Sequence, residues 1–154
     1  MVEVVEATGE GAIREIRELF LEYQRSLDVD LCFQGFQEEL DGLPGPYGPP
    51  DGRLLLALQD GRSCGCVALQ SIGDGSCEMK RLYVRPEARG AGLGEVLVTR
   101  VLEAARSLAY HRVCLDTLPS MQRAAALYES LGFRDIPPYR PNPIPGTRFM
   151  ALDL

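Results

Sequence analysis

Cys77-Glu-Met-Lys-Arg-Leu-Tyr-Val-Arg-Pro-Glu-Ala-Arg-Gly-Ala-Gly-Leu-Gly94 is the stretch that decides the fold. Its first half, Cys77 to Val84, is rich in strand-forming residues. Its second half holds Gly90, Gly92 and Gly94. A helical pattern over 92–108 follows at once, with Leu93, Val96, Leu97, Val101, Leu102 and Ala105 on its apolar side. A strand that runs into a glycine loop and then a helix lets backbone approach a ligand closely, because no side chain intervenes. The unpaired N–H groups of the helix start, with its dipole, favour an anion such as a pyrophosphate. Arg89 adds a fixed positive charge at the same end.

Three diphosphate patterns compete for this loop. An NTPase phosphate loop requires Gly-Lys-Ser/Thr at its end, whereas Gly94 is followed by Glu95-Val96. The dinucleotide fingerprint G-x-G-x-x-G would put its third glycine at Glu95, and no early βαβ unit precedes it. The third pattern, Arg-x-x-Gly-x-Gly, is met by Arg89, Gly92 and Gly94. On its own it fits a plain glycine-rich strand-to-helix turn equally well.

Working outward, Val2 to Ala7 predicts an opening strand, and Ile13, Ile16, Leu19, Phe20, Tyr23 and Leu27 predict an amphipathic helix from about 11 to 27. Phe33, Phe36, Leu40 and Leu43 suggest a second helix, closed by a proline- and glycine-rich loop over 43–52. Arg53 to Gln59 and Ser63 to Ile72 form a hairpin about Asp60-Gly61. Beyond the central stretch come a strand from Arg112 to Thr117, a helix from Met121 to Leu131 closed by Gly132, and strands at Phe133 to Tyr139 and Arg148 to Leu154. The order is β, two helices, three strands, α, β, α, β, β. It predicts one α/β domain over residues 1–154, a mixed sheet with helices packed on it.

Composition narrows the function. Twenty-two acidic residues against 16 basic ones leave a net charge of -6. That balance opposes sequence-independent binding to nucleic acid, which needs an electropositive face. No segment approaches the roughly 20 apolar residues of a membrane span. The acidic start MVEVVEATGEG lacks the basic and apolar run of a signal peptide, so no membrane partner and a cytoplasmic location are expected. The five cysteines (Cys32, Cys64, Cys66, Cys77 and Cys114) are odd in number and irregularly spaced, which suits reduced thiols. Cys64 and Cys66 would share one face of a strand. With His111 the only histidine, they are expected to be structural, and no metal is expected.

Set beside known families, the run Glu78-Met-Lys-Arg-Leu-Tyr-Val-Arg-Pro86 resembles the fourth strand of the GNAT acetyltransferases, and Arg89 to Gly94 resembles their pyrophosphate loop. Ala124-Ala-Ala-Leu-Tyr128-Glu-Ser-Leu-Gly-Phe133 resembles their late helix, although Met121 stands where an asparagine is common. The element order matches over essentially the whole chain. The resemblance implies a central, mostly antiparallel sheet of about six to seven strands, a splayed fourth strand and about four helices. It also implies acetyl-CoA as co-substrate. The backbone of Leu82, Tyr83 and Val84 would pair with pantetheine, and Arg89, Gly90, Ala91, Gly92, Leu93 and Gly94 would hold the pyrophosphate.

An alkyl amine is mostly protonated at neutral pH, so a general base helps it attack a thioester. Glu78, six residues before Val84, sits where some members carry a catalytic glutamate. Its plain alternative is a solvated strand-end carboxylate. Tyr128 matches the family's tyrosine beside the sulfur, where it would protonate the leaving thiolate; its plain alternative is a core tyrosine. Phe33, Phe36, Tyr47, Tyr139, Arg140 and Asn142 lie where the family builds its acceptor pocket, and Arg140 could meet an acceptor carboxylate. The expected activity is N-acetylation of a small-molecule or peptide amine. A silent acyl-CoA sensor or interaction module is the alternative, and GNAT domains often pair as homodimers.

Overall fold

The computed structural model describes residues 2–27, 30–31 and 35–154. Strand β1 (Val2–Glu6) leads into helix α1 (Gly9–Ser26) and the short helix α2 (Phe36–Asp41). Strands β2 (Arg53–Gln59), β3 (Arg62–Gly73) and β4 (Ser76–Val84) follow as a meander. Helix α3 (Leu93–Ser107), β5 (Arg112–Thr117), α4 (Gln122–Ser130), β6 (Arg134–Asp135) and β7 (Arg148–Asp153) complete the chain. All strands join one seven-stranded sheet in the order β1-β2-β3-β4-β5-β7-β6. Every neighbouring pair is antiparallel except β4 and β5, which are parallel. The mostly antiparallel sheet and, among the described residues, four helices agree with the fold expected from the sequence.

The period-2 pattern of the strands sends side chains into two cores. Leu55, Ala57, Val67 and Leu69 pack with Leu97, Val98, Val101 and Leu102 of α3 on one face. Leu54, Leu56, Cys66 and Ala68 pack with Ile16, Leu19 and Phe20 of α1 on the other. Each fully buried aliphatic side chain contributes about 1.5–3 kcal/mol. The β2–β3 hairpin turns at Asp60 and Gly61, with φ of 51° and 80°, the doubly left-handed turn that matches strand twist.

Three expectations change. Cys64 and Cys66 do not share a face, since Cys64 joins the α3 core and Cys66 the α1 core. The pairing passes from Ala57↔Gly65 to Leu58↔Ser63, so Cys64 is the extra residue of a bulge that turns it over. The strand expected from Phe133 to Tyr139 shrinks to Arg134–Asp135. Ile136 N–H still donates to Phe149 O at 2.8 Å. Pro137 and Pro138 have no N–H to continue the ladder, and 136–147 runs as irregular backbone. The second helix contains Phe36 and Leu40 but ends at Asp41, before Leu43.

Strand β4 positions everything that follows. It pairs with β5 only at Ser76↔Arg112, Cys77↔Val113 and Glu78↔Cys114, after which the two strands diverge. On its other edge the register steps from Ala68↔Lys80 to Cys66↔Tyr83, so three steps on β4 oppose two on β3. Arg81 sits in this bulge with φ of 61°. The alternation is thereby reset. Cys77 and Met79 face the α3 core before the bulge, and Leu82 and Val84 face it afterwards.

The Arg81 guanidinium is held bidentately by Glu39 of α2, Nε to Oε2 at 2.9 Å and an Nη to Oε1 at 2.8 Å. It also lies 5.2 Å from the centre of the Phe36 ring. The two side chains are 3% and 10% exposed. Glu39→Ala would remove the bidentate counter-charge of a buried cation, so it is expected to lower stability by about 3–5 kcal/mol. A shift of the urea midpoint followed by far-UV circular dichroism checks this; a shift within error of wild type would refute it.

Candidate active site

Past Glu78, β4 runs to Val84 with no strand on its β5 side, leaving an exposed backbone edge. Leu82, Tyr83 and Val84 lie on that stretch, at its glycine-loop end. The Tyr83 ring carries Arg89 at 5.8 Å, and Arg89 Nε donates to Val84 O at 2.9 Å. Arg89 is thereby folded back toward the strand end that the loop leaves.

In the loop itself, Gly90 and Gly92 adopt φ of 92° and 76°, which L side chains rarely do. Gly92 caps α3, and the first backbone bond of that turn runs from Val96 N–H to Gly92 O at 3.2 Å. None of the N–H groups from Gly90 to Glu95 donates to a backbone carbonyl of a described residue. A row of open donors at a helix N-terminus is suited to an anion. The residues present therefore fit a pyrophosphate, and the free β4 edge fits an extended amide-bearing arm.

Where β4 and β5 part, a narrow cleft opens, bordered by Lys80, Leu82, Asp116, Thr117, Met121 and Tyr128 among others. Tyr128 is 5% exposed, and its ring packs against Phe133 at 5.7 Å between centroids. Burial raises its phenol above the ordinary value, so it stays protonated at neutral pH. Tyr23 borders the same cleft, and burial pushes its phenol up to about 12.

Glu78 is fully buried. Its carboxylate accepts from Gln70 Nε2 at 2.9 Å on the neighbouring strand and from Tyr139 Oη at 2.6 Å. It also forms an ion pair with Arg140. The Arg140 guanidinium lies over the Tyr139 ring at 5.2 Å, and Tyr139 meets Phe149 edge-on at 5.4 Å. The irregular 136–147 segment thus folds onto the sheet through Glu78. Tyr139 and Arg140, expected in the acceptor pocket, both contact Glu78. Phe36 instead serves as the platform under Arg81, and Tyr47 is a core residue meeting Phe20 edge-on at 6.3 Å. Phe33 lies outside the described residues.

Two site residues had no motif to announce them. Lys80 is 9% exposed on a strand that also carries Glu78 and Arg81, and Asp116 interrupts Val113-Cys-Leu-Asp-Thr117. Asp116 Oδ2 and Thr117 Oγ1 are buried without a hydrogen-bond partner among the described residues. Burial raises the Asp116 carboxyl above the usual carboxylate range and Glu78 adds to this, opposed by Lys80, Arg140 and the Asn142 amide. A charged residue breaking an apolar run was the signal available for Asp116; Lys80, one of three charges on β4, had none. Among the described residues no group of three or more His, Cys, Asp or Glu is arranged to hold a metal ion. Nor is any helix long and apolar enough to cross a membrane.

Comparison with known proteins adds lineage to this geometry. The family model for the acetyltransferase (GNAT) family matches residues 13–133. An uncharacterized N-acetyltransferase of Schizosaccharomyces pombe is 42% identical over 142 residues, spanning 91% of this chain and 87% of its own. An acetyltransferase structure from Streptococcus agalactiae superposes with a TM-score of 0.82 at 24% identity, covering 99% of this chain and 98% of that one. PaiA N-acetyltransferase from Thermoplasma acidophilum, solved with coenzyme A, shares the fold at a TM-score of 0.75 and 14% identity over 100% and 99% of the two chains. The matched span takes in the diverging strand, the glycine loop and Tyr128 together, and the chain belongs to the GNAT family of acetyltransferases.

Proposed function

We propose that this acetyltransferase moves the acetyl group of acetyl-CoA directly onto an amine. The observation that carries this is the cleft at the β4–β5 divergence, where a strand edge and a carboxylate oxygen, both without a partner among the described residues, meet a protonated phenol. The β4 backbone at Leu82 to Val84 would pair with the pantetheine arm, and the loop from Arg89 to Gly94 would take the pyrophosphate. Acetyl-CoA, when bound, supplies the thioester. The acceptor nitrogen forms the new N–C bond as the C–S bond breaks. Its proton passes to a carboxylate, and the Tyr128 hydroxyl gives its proton to the departing sulfur and regains one from solvent.

Two carboxylates can take the amine's proton. Glu78 was the expected base, but its lone pairs are shared among Gln70, Tyr139 and Arg140. Asp116 has a free Oδ2 and a raised pKa, both favourable in a base, so the geometry favours Asp116 as acceptor of the proton. Glu78 then positions Arg140 and Tyr139.

The cofactor site is tested by heat. CoA at 100 times its Kd is expected to stabilise the protein by about 2.7 kcal/mol. A Cβ at Gly92 would meet nothing within 4 Å, and its left-handed φ strains any L side chain by roughly 1–2 kcal/mol, so Gly92→Asp is expected to fold with reduced stability yet lose that shift by placing negative charge against the phosphates. No stabilisation of the wild type by millimolar CoA would sink the proposal.

For the leaving group, Tyr128→Phe keeps the ring against Phe133 and removes only the hydroxyl. Turnover is expected to fall with CoA affinity unchanged, the mark of an interaction made mainly in the transition state. Unchanged turnover, with chemistry shown to be rate-limiting, would return Tyr128 to a packing role.

The base is assigned by pH profiles. Asp116→Asn is expected to lower kcat/KM by about 10²–10⁴-fold and to recover as pH nears the acceptor's own pKa, where free amine forms unaided. Glu78→Gln leaves Arg140 without its counter-charge, so it is expected to lower stability and to depress the rate at every pH without rescue. The reverse pattern would make Glu78 the base.

A further inference from the structure

Six charged side chains share the face of β4 and β5 that looks toward α1 and α2. Glu39, Glu78 and Asp116 carry negative charge; Lys80, Arg81 and Arg140 carry positive charge. They are close enough to act on one another: Lys80 responds to Arg81, Glu78, Glu39 and Arg140, and Asp116 to Glu78, Lys80 and Arg140. Two pairs are closed, Arg81 with Glu39 and Arg140 with Glu78. The remaining cation and the remaining anion are left open. Lys80 is more than nine-tenths buried and forms no ion pair with a described residue, and Asp116 Oδ2 is buried without a partner. Both border the cleft.

The sheet itself keeps these two apart. Glu78↔Cys114 is the last pairing before β4 and β5 diverge. Lys80 stands two residues beyond Glu78 on one arm of the V, and Asp116 two residues beyond Cys114 on the other. The period of two puts both on the same face as Glu78 and Cys114. An unpaired buried charge is costly, so each arm presents a charge that needs a partner of opposite sign. A molecule carrying an amine and a carboxylate a few atoms apart meets both needs at once. A simple alkyl amine leaves Lys80 unmatched, and so does a lysine within a peptide.

We propose that the acceptor is a free amino acid, its carboxylate on Lys80 and its amino group against Asp116. The inference rests on the acetyl-transfer reading above and names the substrate class of that same cleft. Lys80 binds and selects; Asp116 faces the reacting nitrogen.

The test compares matched acceptors at saturating acetyl-CoA, with thiol release as readout. Each amino acid is set against its amide and its decarboxylated amine, for example alanine, alaninamide and ethylamine. The best amino acid is expected to exceed both counterparts by about 10²-fold or more in kcat/KM, because a site built for a charged group rejects an analogue that lacks it. Lys80→Met is expected to bring that ratio close to one while CoA affinity holds, and Lys80→Arg to restore most of it. Since Lys80→Met removes an unmatched buried cation, stability is expected to hold or rise. Equal rates on acid and decarboxylated amine, or a ratio unchanged in Lys80→Met, would overturn the inference while leaving acetyl transfer intact. If no acceptor releases thiol, the melting temperature of the CoA complex decides. A further rise with an amino acid, absent with its decarboxylated amine, upholds the site, and no rise with any amino acid overturns it. Failure of CoA itself to stabilise the protein would instead count against the acetyl-transfer reading.

Discussion

Arg81 adopts a left-handed backbone conformation in the middle of a strand, and the bidentate grip of Glu39 on its guanidinium holds α2 against the sheet there. Left-handed backbone costs a non-glycine residue roughly 1–2 kcal/mol, and the ion pair and the stacking on Phe36 offset it. Much follows from this one irregularity. The inserted residue resets which β4 side chains face which core. It puts Lys80 and Arg81, neighbours in sequence, on the α1/α2 side together. It also coincides with the point where β4 has left β5, a bulged strand being one that bends and twists more than its neighbours. The free edge and the cleft both lie on that departing segment.

The polar cluster in the cleft illustrates how expensive such arrangements are. Removing charges from water costs several kcal/mol each unless they are paired and hydrogen-bonded. The fold meets that cost for Arg81 with Glu39, and for Glu78 with Gln70, Tyr139 and Arg140. Among the described residues it gives Lys80 no ion pair and Asp116 Oδ2 and Thr117 Oγ1 no hydrogen-bond partner at the cleft. Burial disfavours the charged form of each ionisable group, and Lys80 and Asp116 shift toward their neutral forms accordingly. Unsatisfied groups collected in one place, beside an otherwise well-packed core, mark where binding energy is available.

The proposed phosphate end and the proposed chemical end of the site depend on different physics. The glycine loop offers mainly backbone, with open N–H groups at the start of α3 and conformations that only glycine adopts readily. The cleft is lined by side chains drawn from α1, β4, β5 and α4, with the irregular 136–147 segment closing over Glu78 beside it. This difference explains which parts could be read in advance. Strand alternation, the Asp60-Gly61 turn and the helical spacing of α1 and α3 are local signals, and the elements appeared within a few residues of their expected bounds. The strand expected over Phe133 to Tyr139 is shorter because Pro137 and Pro138 remove donors from a stretch whose apolar residues suggest a strand.

Local patterning along the chain was enough for the element order, the glycine loop that opens α3, the placing of Tyr128 on a late helix and the family resemblance these support. Each is a matter of side-chain period or turn chemistry within some twenty residues of chain. Packing of the folded sheet was needed to put Cys64 and Cys66 in opposite cores, to bulge β4 at Arg81 and to enclose Glu78 away from solvent. The partners that enclose Glu78 come from residues 61 and 62 positions along the chain. Bulges belong to the register between two strands, and charge pairing to whatever the closed sheet brings near. Neither leaves a mark in a single stretch of sequence, and the open pair of Lys80 and Asp116 exists only because the strands carrying them part.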